Sequence, residues 1–170
     1  MYHIEWCNNE QDVDHLASFF ESNLTTSYIS HSELQFGRAV APDKWSSNLR
    51  EILRNEIASR VQLAPGANIR IAAAYDTDGL VGLAYVTFNA TVPIPFGIIE
   101  DIVIDNSKRG QGIGQEIVNW IFQEAKQNQI KRMFLESGKA NHAAHHFFQR
   151  NGFEQVSIVM MADIDAQVLS

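Results

Sequence analysis

The chain has 170 residues, a length that suits one domain with a sizeable hydrophobic core. Its 20 acidic and 13 basic side chains give a formal net charge of −7, so we expect neither a nucleic acid nor an anionic membrane as partner. Cys7 is the only cysteine, which excludes an intrachain disulfide and favours a reducing compartment. The sequence begins without the basic and apolar regions of a signal peptide, and no apolar run approaches the roughly 20 residues of a membrane span. We therefore predict a cytoplasmic protein whose residues 1–170 form one domain.

The first third of the chain predicts a strand followed by two helices. Residues 2–6 alternate enough for a short strand, and Asn9 can cap a first helix with Asp12 in its first turn. From Asp43 onward, apolar residues at steps of four and three predict a second helix. The apolar stripe of that helix comprises Trp45, Leu49, Ile52, Leu53 and Ile57. Residues 63–68, with Pro and Gly, are expected to end it.

The middle of the chain predicts a meander of three strands. Residues 69–75 and 80–88 are strand-like, and the four residues between them, DTDG, are typical of a hairpin. Residues 98–104 (IIEDIVI) form the third strand-like run. A helix follows, and after it come a strand, another helix and a final strand-like run over residues 153–164. The apolar face predicted for the first of these helices comprises Ile113, Ile117, Val118, Ile121, Phe122 and Ala125. This order indicates an α/β sandwich built on a mixed sheet.

A glycine-rich loop between the third meander strand and the next helix carries the strongest functional signal. Its sequence is Ser107-Lys108-Arg109-Gly110-Gln111-Gly112-Ile113-Gly114. Closely spaced glycines allow backbone N–H groups to surround an anion, and the start of the following helix adds a positive dipole end. A Walker loop would continue with Lys and Ser or Thr after the last glycine, and a dinucleotide fingerprint would have G-x-G-x-x-G spacing. Neither pattern is present, so we predict an anion-binding loop of another kind.

Three parts of the second half together resemble the GNAT superfamily of acetyl-CoA-dependent N-acetyltransferases. The segment 109–114 is similar to the R/Q-x-x-G-x-G/A pyrophosphate loop of that superfamily. The run IEDIVI before it resembles the family's fourth strand, and Asn141, Ala144 and Phe147, followed by Asn151-Gly152-Phe153, resemble its later helix and turn. The resemblance implies a mixed, mostly antiparallel twisted sheet flanked by helices, in the order β-α-α-β-β-β-α-β-α-β.

The resemblance also implies a cofactor site and a reaction. The backbones of Ile102, Val103 and Ile104 would pair with the pantetheine arm of acetyl-CoA as an added strand would. Asn141 would contact the pantetheine or cap its helix, and Phe148 would pack against the cofactor. The pyrophosphate would be held by the N–H groups of Arg109, Gly110, Gln111, Gly112, Ile113, Gly114 and Gln115. Acetyl-CoA would serve as co-substrate for acetyl transfer to a small-molecule or peptide amine.

The histidines of NHAAHHFFQRNGF raise the alternative of a metal site. At about 100° per residue, Ala143, Ala144, Phe147 and Phe148 share one arc of a helix, and the three histidines, His142, His145 and His146, share the opposite one. Zinc usually takes three or four ligands, often with a thiolate or carboxylate, and this stretch contains neither. We therefore expect no metal here. His145, at the edge of the apolar arc, is expected to be solvated or to cap, or else to touch the cleft.

The chemistry of amine acetylation requires a base and benefits from an acid. An alkylammonium ion has a pKa of about 10 and must lose a proton before it attacks a thioester. Glu100 is our first candidate for the base and Asp101 the second. Adjacent residues on a regular strand face opposite sides, so only one of the two can readily point at the cleft. Many GNAT enzymes place a tyrosine general acid where this chain has Phe148, and His145 is the candidate substitute. A non-catalytic acyl-CoA-binding or regulatory module remains the alternative. A homodimer is compatible with either activity.

Overall fold

The structure, a computed structural model, describes residues 2–61 and 68–164. The strands are β1 (His3–Trp6), β2 (Ala39–Ala41), β3 (Lys44–Trp45), β4 (Ile69–Asp76), β5 (Gly79–Asn89), β6 (Phe96–Ile104) and β7 (Arg132–Leu135). The α-helices are α1 (Val13–Ser22), α2 (His31–Gln35), α3 (Leu49–Val61), α4 (Ile113–Gln127) and α5 (His142–Arg150). Among the described helices, none is both long and apolar enough to cross a membrane.

The main sheet is mixed and mostly antiparallel, as predicted. Its strand order is β1-β4-β5-β6-β7, and β6 with β7 forms the parallel pair. The β4–β5 hairpin turns where the DTDG sequence predicted it, with the Asp76 carboxylate accepting hydrogen bonds from the N–H groups of Asp78 and Gly79. This arrangement leaves β6 between an antiparallel neighbour and a parallel one.

Helices cover both faces of the sheet and bury two apolar layers. Helices α1 and α3 pack on one face through Leu16, Phe20, Leu53 and Ile57, all of which are fully buried. Helix α4 packs on the other face through the periodic residues that the sequence predicted, of which Ile113, Ile117, Val118, Ile121 and Ala125 are buried. Burial of this kind stabilises the fold by roughly 25 cal/mol per Å² of apolar surface. The sandwich architecture is therefore confirmed.

The second helix begins later than its apolar spacing predicted. Trp45 lies in β3, where it pairs with Ala39 of β2, and the helix starts at Leu49. The Ser46 hydroxyl accepts a hydrogen bond from the Asn48 N–H, which fixes the turn between the strand and the helix. Trp45 is four residues before Leu49 and so mimics a helical position, but pairing with β2 decides its conformation. The predicted end of the helix lies mostly outside the described residues.

The final strand predicted over residues 153–164 is not formed in the described part of the chain. Every residue from 154 to 164 is exposed and none pairs with the sheet. The apolar character of the segment favours a strand, but a strand also requires a neighbour whose backbone groups are available. The predicted element order is therefore wrong in its last element.

A buried ionic network joins the sheet to the α1–α3 layer. The Arg38 guanidinium donates to both carboxylate oxygens of Asp101, at 3.0 and 3.1 Å, and its Nε donates to Glu56 of α3 at 3.1 Å. The side chains of Arg38 and Asp101 are 8% and 2% exposed, respectively. The Tyr28 hydroxyl donates a further hydrogen bond of 2.7 Å to Asp101. Glu33 lies 3.5 Å from Arg38 and completes the group.

The surroundings of Arg38 favour the charged form of its guanidinium group. Burial lowers the pKa of Arg38, but the charge of Asp101 and the hydrogen bonds to Glu56 and Asp101 together raise it above its ordinary value. Burial raises the pKa of Asp101, and the charge and hydrogen bonds of Arg38, with the bond from Tyr28, oppose that rise. Because removal of one partner would leave an uncompensated buried charge, the network depends on Arg38.

Replacement of Arg38 by Met should therefore be costly. We expect the Arg38→Met change to lower the free energy of unfolding by about 3–5 kcal/mol, because the buried Asp101 loses its counterion and Glu56 keeps only the more distant Arg60. Arg50, which is 46% exposed and pairs with Glu21 at 2.6 Å, provides the matched control. Arg50→Met should cost less than about 1 kcal/mol. Urea denaturation of both variants would measure the difference, and equal losses would contradict the assigned role of Arg38.

Candidate functional site

A β-bulge at Glu100 shapes the middle of β6. Asp101 pairs with Tyr85 and Ile99 pairs with Val86, so Glu100 is an extra residue without a partner in β5. A bulge of this kind interrupts the regular alternation of side chains along the strand. The expectation that Glu100 and Asp101 face opposite sides of the sheet is therefore wrong.

Both carboxylates reach the layer formed by α3. Glu100 accepts a 2.7 Å hydrogen bond from Arg60 of α3 and another from the Thr87 hydroxyl. Asp101 is linked to the same helix through Arg38 and Glu56. The Glu100 side chain keeps 29% of its surface exposed, whereas Asp101 is enclosed by its donors. Of the two candidate bases, only Glu100 is thus accessible from outside.

The open edge of β6 is created by the early end of β7. Pairing of the two strands begins at Phe96 with Arg132 and ends at Ile99 with Leu135. Strand β6 continues to Ile104, so residues 100–104 have no strand beside them on this side among the described residues. At about 3.3 Å per residue this edge is roughly 17 Å long. An extended ligand could pair with it through backbone hydrogen bonds.

A short covering segment, residues 27–32, lies across the gap between β6 and the end of β7. Its Ser30 and Ser32 side chains donate hydrogen bonds to Glu136, which directly follows β7, and His31 forms an ion pair with the same carboxylate. Burial tends to raise the pKa of Glu136, but these hydrogen bonds and the nearby histidine lower it below its ordinary value. The contacts hold the chain after Leu135 away from β6.

The same covering segment also contacts β6. The Tyr28 hydroxyl accepts a 3.3 Å hydrogen bond from the backbone N–H of Ile102 while it donates to Asp101. The Ile102 N–H therefore points into the gap, and it is the first of the three backbone positions predicted to bind pantetheine. A ligand that pairs there would share this N–H with Tyr28 or displace the tyrosine.

The glycine-rich loop enters α4 in the geometry that its sequence predicted. Gly110 and Gly112 have positive φ angles of 79° and 85°, and Gly112 is the residue that caps α4. Gly114 does not share this conformation, because it already lies in the first turn of the helix. Among the described residues, none accepts a hydrogen bond from the N–H groups of residues 110–115. These groups, together with the positive end of the helix dipole, suit a bound anion.

Side chains of the loop anchor it to the rest of the fold. Lys108 forms ion pairs with Asp76 and Asp78 in the β4–β5 turn. The Arg109 guanidinium donates to the backbone carbonyl of Asn23 at the end of α1, at 2.8 Å. Arg109 is thus positioned by its side chain, and its backbone rather than its guanidinium belongs to the candidate anion site.

Helix α5 brings the second predicted motif next to this loop. A Cβ atom added at Gly114 would lie 3.3 Å from the Phe147 ring and 3.9 Å from Ile104. The end of β6, the start of α4 and α5 therefore meet at one place. Gly114 matters here because its lack of a side chain lets the Phe147 ring approach the helix start.

The remaining residues of α5 have structural contacts. The Asn141 side chain accepts a hydrogen bond from the Ala144 N–H at 3.3 Å, so it caps the helix. His142 and His146 are exposed, and Ala143 is exposed too, although it shares the helical arc of Phe147 and Phe148. The His145 ring Nε2 lies 3.0 Å from the carbonyl oxygen of Gly138.

Phe148 is 6% exposed and belongs to an aromatic cluster. Its ring lies 5.1 Å from that of Phe147 and 5.7 Å from that of Phe153, between centroids. Among the described residues, no group of three or more His, Cys, Asp or Glu side chains could hold a metal ion.

Four residues near the candidate site were missed by sequence reasoning. Tyr28, Arg38, Arg60 and Glu136 all contact β6 or flank its open edge. Tyr28 and Arg38 lie in a polar passage without periodicity, and Tyr28 meets Asp101 across 73 positions of sequence. For Arg60 the sequence did offer a signal. The apolar pattern predicted a helix here, and on a helix Arg60 falls one turn after Glu56, as in an i,i+4 ion pair.

Comparison with known proteins places this geometry in a family. A family model described as "Acetyltransferase (GNAT) family" matches residues 33–153. Aminoalkylphosphonate N-acetyltransferase from Salmonella typhimurium is 25% identical over 132 residues, which cover 72% of this chain and 85% of that protein. The uncharacterized N-acetyltransferase YobR from Bacillus subtilis is 32% identical over 83 residues. That match covers 49% of this chain and only 32% of YobR.

Solved structures show the same fold at low sequence identity. A tetramutant of BH1408 from Bacillus halodurans superposes with a TM-score of 0.73 at 17% identity, covering 95% of this chain and 99% of that one. The aminoglycoside N-acetyltransferase AAC(6')-Iy in complex with CoA superposes with a TM-score of 0.68 at 13% identity, covering 96% and 95% of the two chains. Because the family model matches most of the length of this chain, the chain belongs to the acetyltransferase (GNAT) family.

Proposed function

We propose that this protein transfers the acetyl group of acetyl-CoA to a primary amine by direct attack in a ternary complex. The observation that carries the proposal is the open edge of β6, residues 100–104, beside the free N–H groups that begin α4. An extended pantetheine arm fits the edge, and a pyrophosphate fits the helix start. The family match and the CoA complex of a protein with the same fold support this assignment.

In the proposed reaction, the amine nitrogen attacks the thioester carbonyl carbon. The bound ammonium group first gives a proton to a base; the new C–N bond then forms, the C–S bond breaks, and the nitrogen loses its second proton to water. CoA leaves as a thiolate and takes a proton from water or from His145. A thiol with a pKa of about 8.5 is a tolerable leaving group, so a tyrosine at position 148 is not required.

We assign the base to Glu100, acting directly or through a water molecule. Its carboxylate is partly exposed beside the open edge, and Arg60 orients it. Asp101 is the weaker candidate, because Arg38 and Tyr28 occupy its oxygens. Together Glu33, Glu56, Glu100 and Asp101 outnumber the two guanidinium groups that pair with them. This excess of negative charge favours a cationic acceptor such as an alkylammonium ion.

The acceptor is proposed to be a small-molecule or peptide amine. The names of an aminoalkylphosphonate acetyltransferase and an aminoglycoside acetyltransferase describe amine substrates of those proteins. A panel of amines incubated with acetyl-CoA and monitored for free thiol would test the activity. We expect amine-dependent thiol release for at least one class. Tight acetyl-CoA binding without any release would favour the alternative, a non-catalytic acyl-CoA-binding module, which the buried Phe148 also fits.

The loop assignment predicts a selective effect of a methyl group at position 112. Gly112→Ala places a non-glycine residue at a φ of 85°, which costs about 1–2 kcal/mol, and puts a methyl group beside the proposed pyrophosphate. We expect acetyl-CoA affinity, measured by calorimetry, to fall roughly tenfold or more. Gly37, with a φ of 79° and equally open surroundings, is the matched control. Gly37→Ala should leave the affinity near that of the parent, and an unchanged affinity for a folded Gly112→Ala protein would overturn the assignment.

The base assignment predicts a pH-dependent loss of rate. Glu100→Gln should lower kcat/KM about 10²-fold near pH 7, because the bound ammonium has no proton acceptor. The loss should shrink near pH 10, where the amine deprotonates without help. Acetyl-CoA affinity should stay unchanged. Glu21→Gln, which removes a surface carboxylate paired with Arg50, should have no effect on rate. A loss of equal size at every pH would assign Glu100 to packing or positioning instead.

A further inference from the structure

One face of the β6–β7 pair presents a row of apolar side chains. Ile99 of β6 and Met133 of β7 pack in the apolar layer under α4. Because side chains alternate along a strand, Phe96, Ile98 and Phe134 lie on the opposite face of the sheet. The rings of Phe96 and Phe134 are in contact, with 5.9 Å between their centroids, and Ile98 pairs with Phe134 in register. We call these three residues the apolar platform.

The apolar platform is accessible because the helices on its face of the sheet lie elsewhere. The buried residues of α1 and α3 pack with β4, with β5 and with the end of β6, and the platform residues are not part of that layer. Phe134 is 40% exposed, and Phe96 and Ile98 are partly exposed. In the loop that leads into Phe96, Ile94 is 51% exposed. An accessible apolar surface of this kind suits the apolar part of a ligand.

The platform ends at the proposed base. Phe96, Ile98 and Glu100 follow one another on the same side of β6, and the contact of Glu100 with Arg60 of α3 fixes that side. Ile98 and Glu100 are two positions apart along the strand, or roughly 7 Å, which a short alkyl chain can span. An amine nitrogen beside Glu100 would therefore have its carbon skeleton on the platform.

The charges at the two ends of the platform differ in sign. Glu100, with the excess of carboxylates around it, lies at one end. Arg132 lies at the other end, where it is exposed, precedes Phe134 by two residues and pairs with Phe96. One ammonium group would be attracted to the carboxylates, whereas a second one at the far end of the same molecule would be repelled by the Arg132 guanidinium. This arrangement favours a monoamine over a diamine or polyamine.

We propose that the acceptor is an apolar primary monoamine, such as an arylalkylamine, whose apolar group lies on Phe96, Ile98 and Phe134 while its nitrogen lies beside Glu100. This proposal rests on the proposed acetyl transfer and names the chemical class of the amine. Hydroxyl or amide groups close to the nitrogen would lose their hydrogen bonds to water on the platform, which disfavours sugar and peptide amines. The platform is thus the part of the site that selects the substrate.

Matched amines test this selectivity through release of free thiol from acetyl-CoA. We expect kcat/KM for phenethylamine and for hexylamine to exceed that for hexamethylenediamine by roughly 10²-fold or more. Phe134→Asp should narrow or reverse this preference, because the new carboxylate attracts the second ammonium group; a structural defect would slow all three amines alike. Ile158→Ala, a change at a side chain that is 78% exposed and outside the sheet, should keep the preference. Equal or faster turnover of the diamine would overturn the proposal and leave acetyl transfer intact.

A binding measurement separates the proposal from the reaction on which it rests. With CoA present, phenethylamine should shift the NMR signals of the Phe96 and Phe134 rings saturably, and hexamethylenediamine should not. These shifts without acetylation of any amine would support the platform and contradict acetyl transfer. No ring shifts at millimolar phenethylamine would overturn the proposal. Ring shifts that follow protein concentration alone would overturn it too, since they would assign the platform to a contact between copies of the chain.

Discussion

The site depends on one constraint, the early end of β7 at Leu135. Backbone pairing between β6 and β7 stops there, and Glu136 turns to the hydrogen-bond donors of the covering segment. Were β7 to continue beside β6, the backbone groups of residues 100–104 would be used within the sheet. Because it does not, β6 keeps an open edge at residues 100–104 although it is an inner strand of the sheet. The glycine-rich loop and α5 lie beside the end of this strand, where Gly114, Phe147 and Ile104 approach one another.

The buried network explains how charged groups are tolerated at the same place. The bulge at Glu100 sends two consecutive carboxylates toward α3, where a regular strand would send one. Arg38, which precedes β2, pairs with Asp101, and Arg60 of α3 pairs with Glu100; Glu56 contacts both guanidinium groups. The result is asymmetric. Asp101 is enclosed by its donors, whereas Glu100 retains access to solvent. This difference favours Glu100 as the proposed base.

Local patterns predicted most of the fold, and long-range contacts account for what they missed. The apolar periodicity of α4, the β4–β5 hairpin and the position of the glycine-rich loop depend on residues close in sequence, and these predictions are confirmed. The predicted start of the second helix was wrong, because Trp45 has helical spacing but pairs with Ala39 in a strand. The sequence did not predict the bulge in β6, because the bulge is defined by the register with β5 rather than by the residues of β6.

Within the candidate site, the loop was easier to predict than the chemistry. Glycines at positive φ have a strong sequence signature, so the candidate anion site was located from residues 109–114 alone. The environment of Glu100 and Asp101 depends on Tyr28, Arg38 and Arg60, which approach from elements at least 40 positions away. No local pattern encodes these contacts. The sequence named Glu100 and Asp101 as candidate bases, but the difference between their surroundings became visible only in the three-dimensional arrangement.

The most direct test of the account is an NMR titration of the labelled protein with acetyl-CoA. We expect the largest amide shifts at Ile102, Val103 and Ile104 and at residues 110–115, with a further shift at Tyr28 as its hydroxyl gives up the Ile102 N–H. Smaller changes should follow in α5 near Phe147. Saturable shifts confined to other surfaces, or no shifts at millimolar acetyl-CoA, would contradict the claim that the open edge of β6 and the start of α4 form one cofactor site.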